Sequence, residues 1–257
     1  MIYRCRRLRE ILCHLQRREK KSMSEFTRRT LLGGAAVAAA TTMWNEPVHA
    51  QYVWQKADWP QAAEFDALIR SPRRIRQVIH SYAINDGRFL KNAKNSLNGL
   101  RFGSGIPADQ IQVVCALNGP ANMLNCSDSI WQKYRIGELE KEKDPATAEP
   151  AVRNFYFPSK AGPSLKYSSE DPSSPDSAYQ DTSVQGLQAR GVRFVSCHSS
   201  IEETARGIVK QFGLQAQPEE IAKDIQAHLF PGVILVPALS AALAMLQSEG
   251  HYSYMES

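Results

Sequence analysis

The chain has 257 residues, with 31 Lys and Arg against 26 Asp and Glu, 43% hydrophobic and 22% charged residues, enough to bury the core of one large domain or two small ones. That composition excludes wholesale disorder, and no uninterrupted apolar run approaches the roughly 20 residues of a spanning helix, which excludes a polytopic membrane protein. The formal charge of +5 suggests a polyanion binder until the charges are located: residues 1–50 hold ten Lys and Arg and four acids, leaving residues 51–257 with 21 bases and 22 acids, net −1. No nucleic-acid partner is expected.

The leader comes first. From Met23 the chain reads Ser24-Glu25-Phe26-Thr27-Arg28-Arg29-Thr30-Leu31-Leu32-Gly33-Gly34, continues through an Ala/Val stretch to Ala40, and reaches Val48-His49-Ala50 before Gln51. A paired arginine, a short and mildly apolar segment, and small residues ahead of Gln51 fit an export signal cleaved near Ala50. The segment resembles a twin-arginine translocation signal, from which Thr-Arg-Arg-Thr-Leu-Leu departs only in Leu for Phe. The alternative is a basic amphipathic helix. Met23 is the expected start, with the Arg-rich stretch before it an over-extended reading frame. The apolar segment is too short to remain as a stable membrane anchor, so the resemblance implies a periplasmic protein of about 207 residues, 51–257. Cys5 and Cys13 leave with the leader. Cys115, Cys126 and Cys197 remain, an odd number, so in an oxidising compartment at least one thiol is free, paired between chains or chemically employed. Whether Cys126 pairs with Cys115 is open at this point. No Cys-x-x-Cys or zinc spacing is present, and no metal site is expected.

In chain order, residues 51–71 form a Trp-bearing opening segment, partly helical around Ala62 to Ile69. Arg74 to Ile84 reads as a strand ending in Asn85-Asp86-Gly87, and Phe89 to Phe102 as a helix with Phe89, Ala93, Leu97 and Leu100 on one face. Gln110 to Leu117 is a nearly continuous apolar run, as a strand covered on both faces needs, and Ala121 to Ile136 reads as the next helix. Residues 138–182 interrupt the alternation: six of the 14 prolines and nine acids against five bases fall in these 45 residues. The segment is expected to be an irregular insertion, either an oligomer arm or lid, or a mobile surface loop. Alternation resumes with a helix Ser183 to Ala189, a strand Val192 to Ser196, helices Ile201 to Phe212 and Pro218 to Leu229, a strand Val233 to Pro237, a helix Leu239 to Ser248 and a short strand His251 to Met255. Five strands with intervening helices predict a single α/β domain over 51–257, three layers with a mainly parallel sheet and a flavodoxin-like topology.

Cys197 falls at the carboxyl end of the third strand, where a doubly wound fold places its chemistry. Ser200-Ile201-Glu202-Glu203 has capping-box spacing, with Ser200 expected as N-cap and Glu203 at the third helical position. The thiol just before it would then face helix N–H groups that favour the nucleophilic thiolate. His198 and Arg206 are weaker candidates for stabilising that anion. A small buried side chain is the alternative for Cys197, and the stronger expectation for Cys115. His80 and His228 read as structural or exposed, and His251 as a weak candidate.

Gly191-Val-Arg-Phe-Val-Ser-Cys197-His-Ser-Ser, Arg206-Gly207, Phe230-Pro-Gly-Val-Ile-Leu-Val-Pro237 and Leu243-x-x-Leu246-Gln247-x-Glu249-Gly250-x-x-x-Tyr254 resemble the DsrE/DsrF-like sulfur-relay family, over residues 183–257 in sequence and over 74–136 in topology only. The export signal and the insertion depart from the compact cytoplasmic members. The resemblance implies a five-stranded α/β domain assembled as a trimer or hexamer. It also implies a Cys197 that accepts sulfane sulfur as a persulfide, as a sulfurtransferase or sulfur carrier does, with a donor or acceptor protein or a small thiol as partner. That cycle needs no cofactor, and neither Gly-x-Gly-x-x-Gly nor a Walker loop is present. The alternative is a non-catalytic oligomeric binding or scaffold module of the same fold. A secreted hydrolase is weaker, for want of a Gly-x-Ser-x-Gly elbow.

Overall fold

Apolar residues of alternating side in each strand build two separate cores in the computed structural model, which describes residues 53–257. Strands β1 (Ile75–Ser81), β2 (Ile111–Leu117), β3 (Arg193–Cys197), β4 (Ile234–Val236) and β5 (Ser253–Glu256) form one five-stranded, all-parallel sheet in the order β4-β3-β2-β1-β5. On one face Ile79, Cys115, Leu117 and Phe194 meet helices α2 (Arg88–Asn98), α3 (Asp128–Lys133), α5 (Val184–Ala189), α6 (His198–Phe212) and α7 (Pro218–Ala227). On the other, Val78, Val114, Ala116, Val195, Cys197 and Val236 meet only α1 (Ala62–Ile69) and α8 (Leu239–Ser248). The fold is therefore the expected three-layer α/β/α arrangement.

Topology explains the unequal layers. The chain steps from β1 to β4 in one direction, so right-handed crossovers place their helices on one face; the step to β5 reverses and carries α8 to the other. The order differs from the 2-1-3-4-5 of flavodoxin, because here the strand beyond β1 comes last rather than second.

Local chemistry accounts for the element ends. Strand β2 lies mid-sheet with both faces covered, which is why it reads as a continuous apolar run. Gly213, at a φ of 61°, closes α6 in the left-handed conformation that glycine adopts without steric cost. The helix expected over Ala121 to Ile136 is instead a 3-10 stretch, Gly119–Asn125, followed by α3 and the single turn α4 (Ile136–Leu139). Asn122 and Asn125 spend their side chains on β3 rather than on solvent, and that tertiary pull outweighs a weak local preference for helix.

The opening segment seals the outer edge of β4. Gln61 Nε2 donates to Val233 O at 2.9 Å, Gln61 Oε1 accepts from Leu235 N at 2.8 Å, and Trp59 Nε1 donates to Leu235 O at 2.7 Å. One amide side chain thus stands in for a neighbouring strand on an edge that would otherwise offer unpaired backbone groups.

The insertion has little regular structure, as expected, and is fastened to the larger core. Asn154 is buried and donates through Nδ2 to Leu124 O and Cys126 O, each at 2.8 Å. Phe157 stacks on Phe230 with ring centroids 3.5 Å apart, and Phe155 meets Trp131 edge-on. Gly137 of α4 lies against the insertion so closely that a Cβ there would stand 2.3 Å from Ala151 N. The aromatic residues that distinguish the segment from a linker are packing groups. The twin-arginine-type signal and the expected Met23 start lie outside the described residues. Among those described, no helix is long and apolar enough to cross a membrane.

Candidate functional site

Strand β3 runs straight into α6, and Cys197 is both the last residue of the strand and the N-cap of the helix. Ser200 is therefore inside the first turn of α6 rather than at its cap. The helix starts earlier than its capping-box spacing indicates because Ser199 is tied to the β4–α8 connection: its N–H and Oγ both donate to Pro237 O, at 3.3 and 2.8 Å. The Cys197 side chain makes no capping hydrogen bond to its own helix. Cys197 Sγ accepts from the backbone N–H of Leu239 at 3.3 Å, and Leu239 is the first residue of α8. The first N–H of a second helix thus meets the sulfur.

Asn122 fixes the backbone of this residue. Its Oδ1 accepts from Cys197 N at 3.1 Å and its Nδ2 donates to Cys197 O at 3.2 Å. Asn125 Nδ2 donates to Ser196 Oγ at 2.8 Å one residue earlier. Both asparagines are fully buried, so the 3-10 stretch after β2 works as a clamp on the end of β3.

On the same face a polar trio continues the site toward β1 and β5. The pairing of Leu117 with Ser196 sets Asn118 level with Cys197 on the neighbouring strand. Asn118 Oδ1 lies 2.8 Å from His80 Nε2, and His80 Nδ1 lies 2.9 Å from Tyr254 Oη. His80 and Asn118 lie toward the carboxyl ends of β1 and β2, whereas connections of opposite direction leave the adjacent strands β3 and β4, the kind of position at which open α/β sheets bind ligands and the one where Cys197 meets Leu239.

Of the residues singled out in sequence, Cys197 and His198 are neighbours in space as in chain. His198 is buried at the first position of α6, with its ring 4.4 Å from that of Trp54. Burial pushes its pKa down, so the imidazole is held neutral rather than as a cation beside the sulfur. Arg206 stands about 12 Å further along the helix axis, given about 1.5 Å of rise per residue. His251 lies in the turn before β5, at the amino end of the sheet, away from Cys197. Asn122, Asn118, His80 and the Leu239 N–H are the groups that sequence reasoning missed. The available signal was Asn118-Gly-Pro-Ala-Asn122, an Asn-rich turn at the carboxyl end of a buried strand.

All three cysteines are free and buried. Cys115 and Cys126 belong to the larger core, where burial pushes both thiols well above the ordinary cysteine range and keeps them protonated. Cys197 belongs to the thinner face and is 4% exposed. A cleft of about 270 Å³, lined by Trp54, Trp59, Phe65, Pro237 and Met245, adjoins it through the Trp54 that covers His198 and the Pro237 that binds Ser199. In comparisons with known proteins, no family model, no curated protein and no solved structure matches the chain.

Proposed function

We propose that the chain is an exported, DsrE/DsrF-like sulfur carrier in which Cys197 takes up sulfane sulfur as a persulfide. The observation that carries this reading is the backbone N–H of Leu239 aimed at Sγ, on a residue whose own backbone is clamped by Asn122. The Cys197 thiolate attacks the outer sulfur of a donor persulfide, RSSH. A new S–S bond forms, the donor S–S bond breaks, and RS⁻ leaves with its electron pair. Cys197 then carries S–SH, and attack by a second thiolate on its outer sulfur returns the enzyme thiolate without any oxidant or metal. The donor and acceptor are persulfide- or thiol-bearing proteins or a small thiol, and the oligomer is a trimer or hexamer by the same resemblance. Periplasmic location follows from the leader and is proposed with it.

The test is mass spectrometry after incubation with glutathione persulfide. One sulfur atom is expected on the peptide containing Cys197 and none in Cys197→Ser. Leu239→Pro removes the N–H at Sγ while keeping an apolar residue at the first helical position, which accepts proline, and is expected to slow the uptake about tenfold. Sulfur appearing on Cys115 or Cys126 instead would refute the mechanism. The near-complete burial of Cys197 favours a second reading, a non-catalytic oligomeric binding or scaffold module. An inert Cys197 in that experiment, with unchanged cellular activity of Cys197→Ser, supports it.

A further inference from the structure

A larger cleft, about 740 Å³, opens at the amino ends of the strands, opposite the Cys197 site. Ile111, the first residue of β2, and Arg190, between α5 and β3, form its inner wall; Tyr167, Glu170 and Tyr179 of the insertion and Arg101 form its outer one. Arg101 Cζ lies 5.2 Å from the centre of the Tyr179 ring and Arg190 Cζ lies 5.3 Å from the same centre. Two cations therefore share one aromatic ring, which attracts both and holds them near each other.

Their charge is unspent. Arg190 Nη2 donates to Asn98 Oδ1 at 2.6 Å, whereas Nη1 is buried and has no hydrogen-bond partner. Burial pushes the Arg190 guanidinium down and Arg101 adds to this, while Tyr179, Tyr167 and Asp181 act in the opposite direction. Neither arginine forms an ion pair among the described residues. Glu170, on the lining, is exposed. Tyr167, which also lines the cleft, commits its hydroxyl to Asp181. A partly buried guanidinium with one unmet N–H beside a second cation costs stability, and a bound anion would offset that cost.

We propose that this cleft binds a small oxyanion of the phosphate or sulfate type, or the oxyanion group of a small molecule, between the Arg190 and Arg101 side chains that line it. Tyr179 is the positioning residue for both. The fork of donors on a guanidinium matches the spacing of oxyanion oxygens, and Leu97, Ala108 and Ile111 give an apolar wall for any organic body the anion carries.

The experiment is a thermal-unfolding titration of the mature chain with inorganic phosphate, against sodium chloride at equal ionic strength. Phosphate is expected to raise the midpoint saturably, as a ligand of the native state does. Arg101→Gln, at an exposed position, and Arg190→Met are each expected to weaken phosphate at least about tenfold. Cys197→Ser is expected to keep the full phosphate response, which separates this site from the persulfide reading. A wild type with no saturable rise, or a rise that survives in Arg101→Gln, overturns the proposal; if Arg190→Met fails to fold, the exposed variant alone decides between the two outcomes.

Discussion

Asn122 holds the N–H and the C=O of a single residue, Cys197, with one amide. Because the site is fully enclosed, water cannot replace either bond, and each orphaned group would carry its desolvation penalty. Asn122→Ala is therefore expected to destabilise the fold by roughly 2–4 kcal/mol, read as a lower urea midpoint with an unchanged slope. A loss under about 0.5 kcal/mol would show that the clamp is not holding the strand end. The position of Cys197 at a strand terminus was readable from the apolar run before it, and the clamp was not. Asparagine in sequence signals a turn or a cap, and only the chain path shows that this one turns inward. The capping box misled for a related reason. Ser200 has the right spacing, but a tertiary bond from Ser199 to Pro237 starts the helix earlier, and local pattern carries no information about it.

Elements were legible where burial imposes a period. Helix α8, Leu239–Ser248, and α1, Ala62–Ile69, fall on the residues that spacing predicts, and each strand lies within two residues of its expected bounds except β1, which ends three residues before Ile84. The segment after β2 was not legible, since its apolar residues serve three short pieces rather than one helical face. The insertion was legible as irregular, while its attachment depends on shapes that composition does not record. Gly137 is the clearest instance: α4 touches Ala151 where no side chain fits. Gly137→Ala is expected to lower stability by about 1–3 kcal/mol through overpacking, and limited proteolysis within residues 138–182 should accelerate in step. Unchanged cleavage would mean that the insertion is held elsewhere.

For the whole molecule, His198 and the carboxylates Asp181, Asp144 and Asp224, all held below their ordinary pKa values, contribute to the response to acid. His198 has its pKa lowered by burial, so the unfolded chain takes up its proton first, and stability falls as pH drops below about 6.5, the ordinary histidine value. Burial pushes Asp181 up, but hydrogen bonds from Ser159, Ser183 and Tyr167 together hold it below 3.8, so its contribution is complete above that value and is lost as pH falls further. Two acid steps are expected in the dependence of unfolding free energy on pH. His198→Gln should flatten the first and leave the second, and Asp181→Asn should reduce the second, to which Asp144 and Asp224 also contribute, and leave the first. A single step unaffected by His198→Gln would place the upper transition on another group. Strand order belongs to this scale too, and it was the least legible feature. Nothing in the short run Ser253–Glu256 indicates that it pairs with β1 rather than β4.

That pairing has a consequence for how the chain reaches its fold. Gln77 meets Ser253, and Gln61 reaches Leu235 across 174 positions, so β1 and β4 are each covered on one side by a segment far away in sequence. Closure over such separations is slow. During synthesis, β1 keeps a bare hydrogen-bonding edge until β5 has been made, whereas the segment that covers β4 is made before it, and another nascent copy could pair with β1 in that interval. The finished molecule hides this hazard at β4 with one glutamine and at β1 with a four-residue strand. Before release, its protection rests on how quickly the two ends of the chain find the sheet between them.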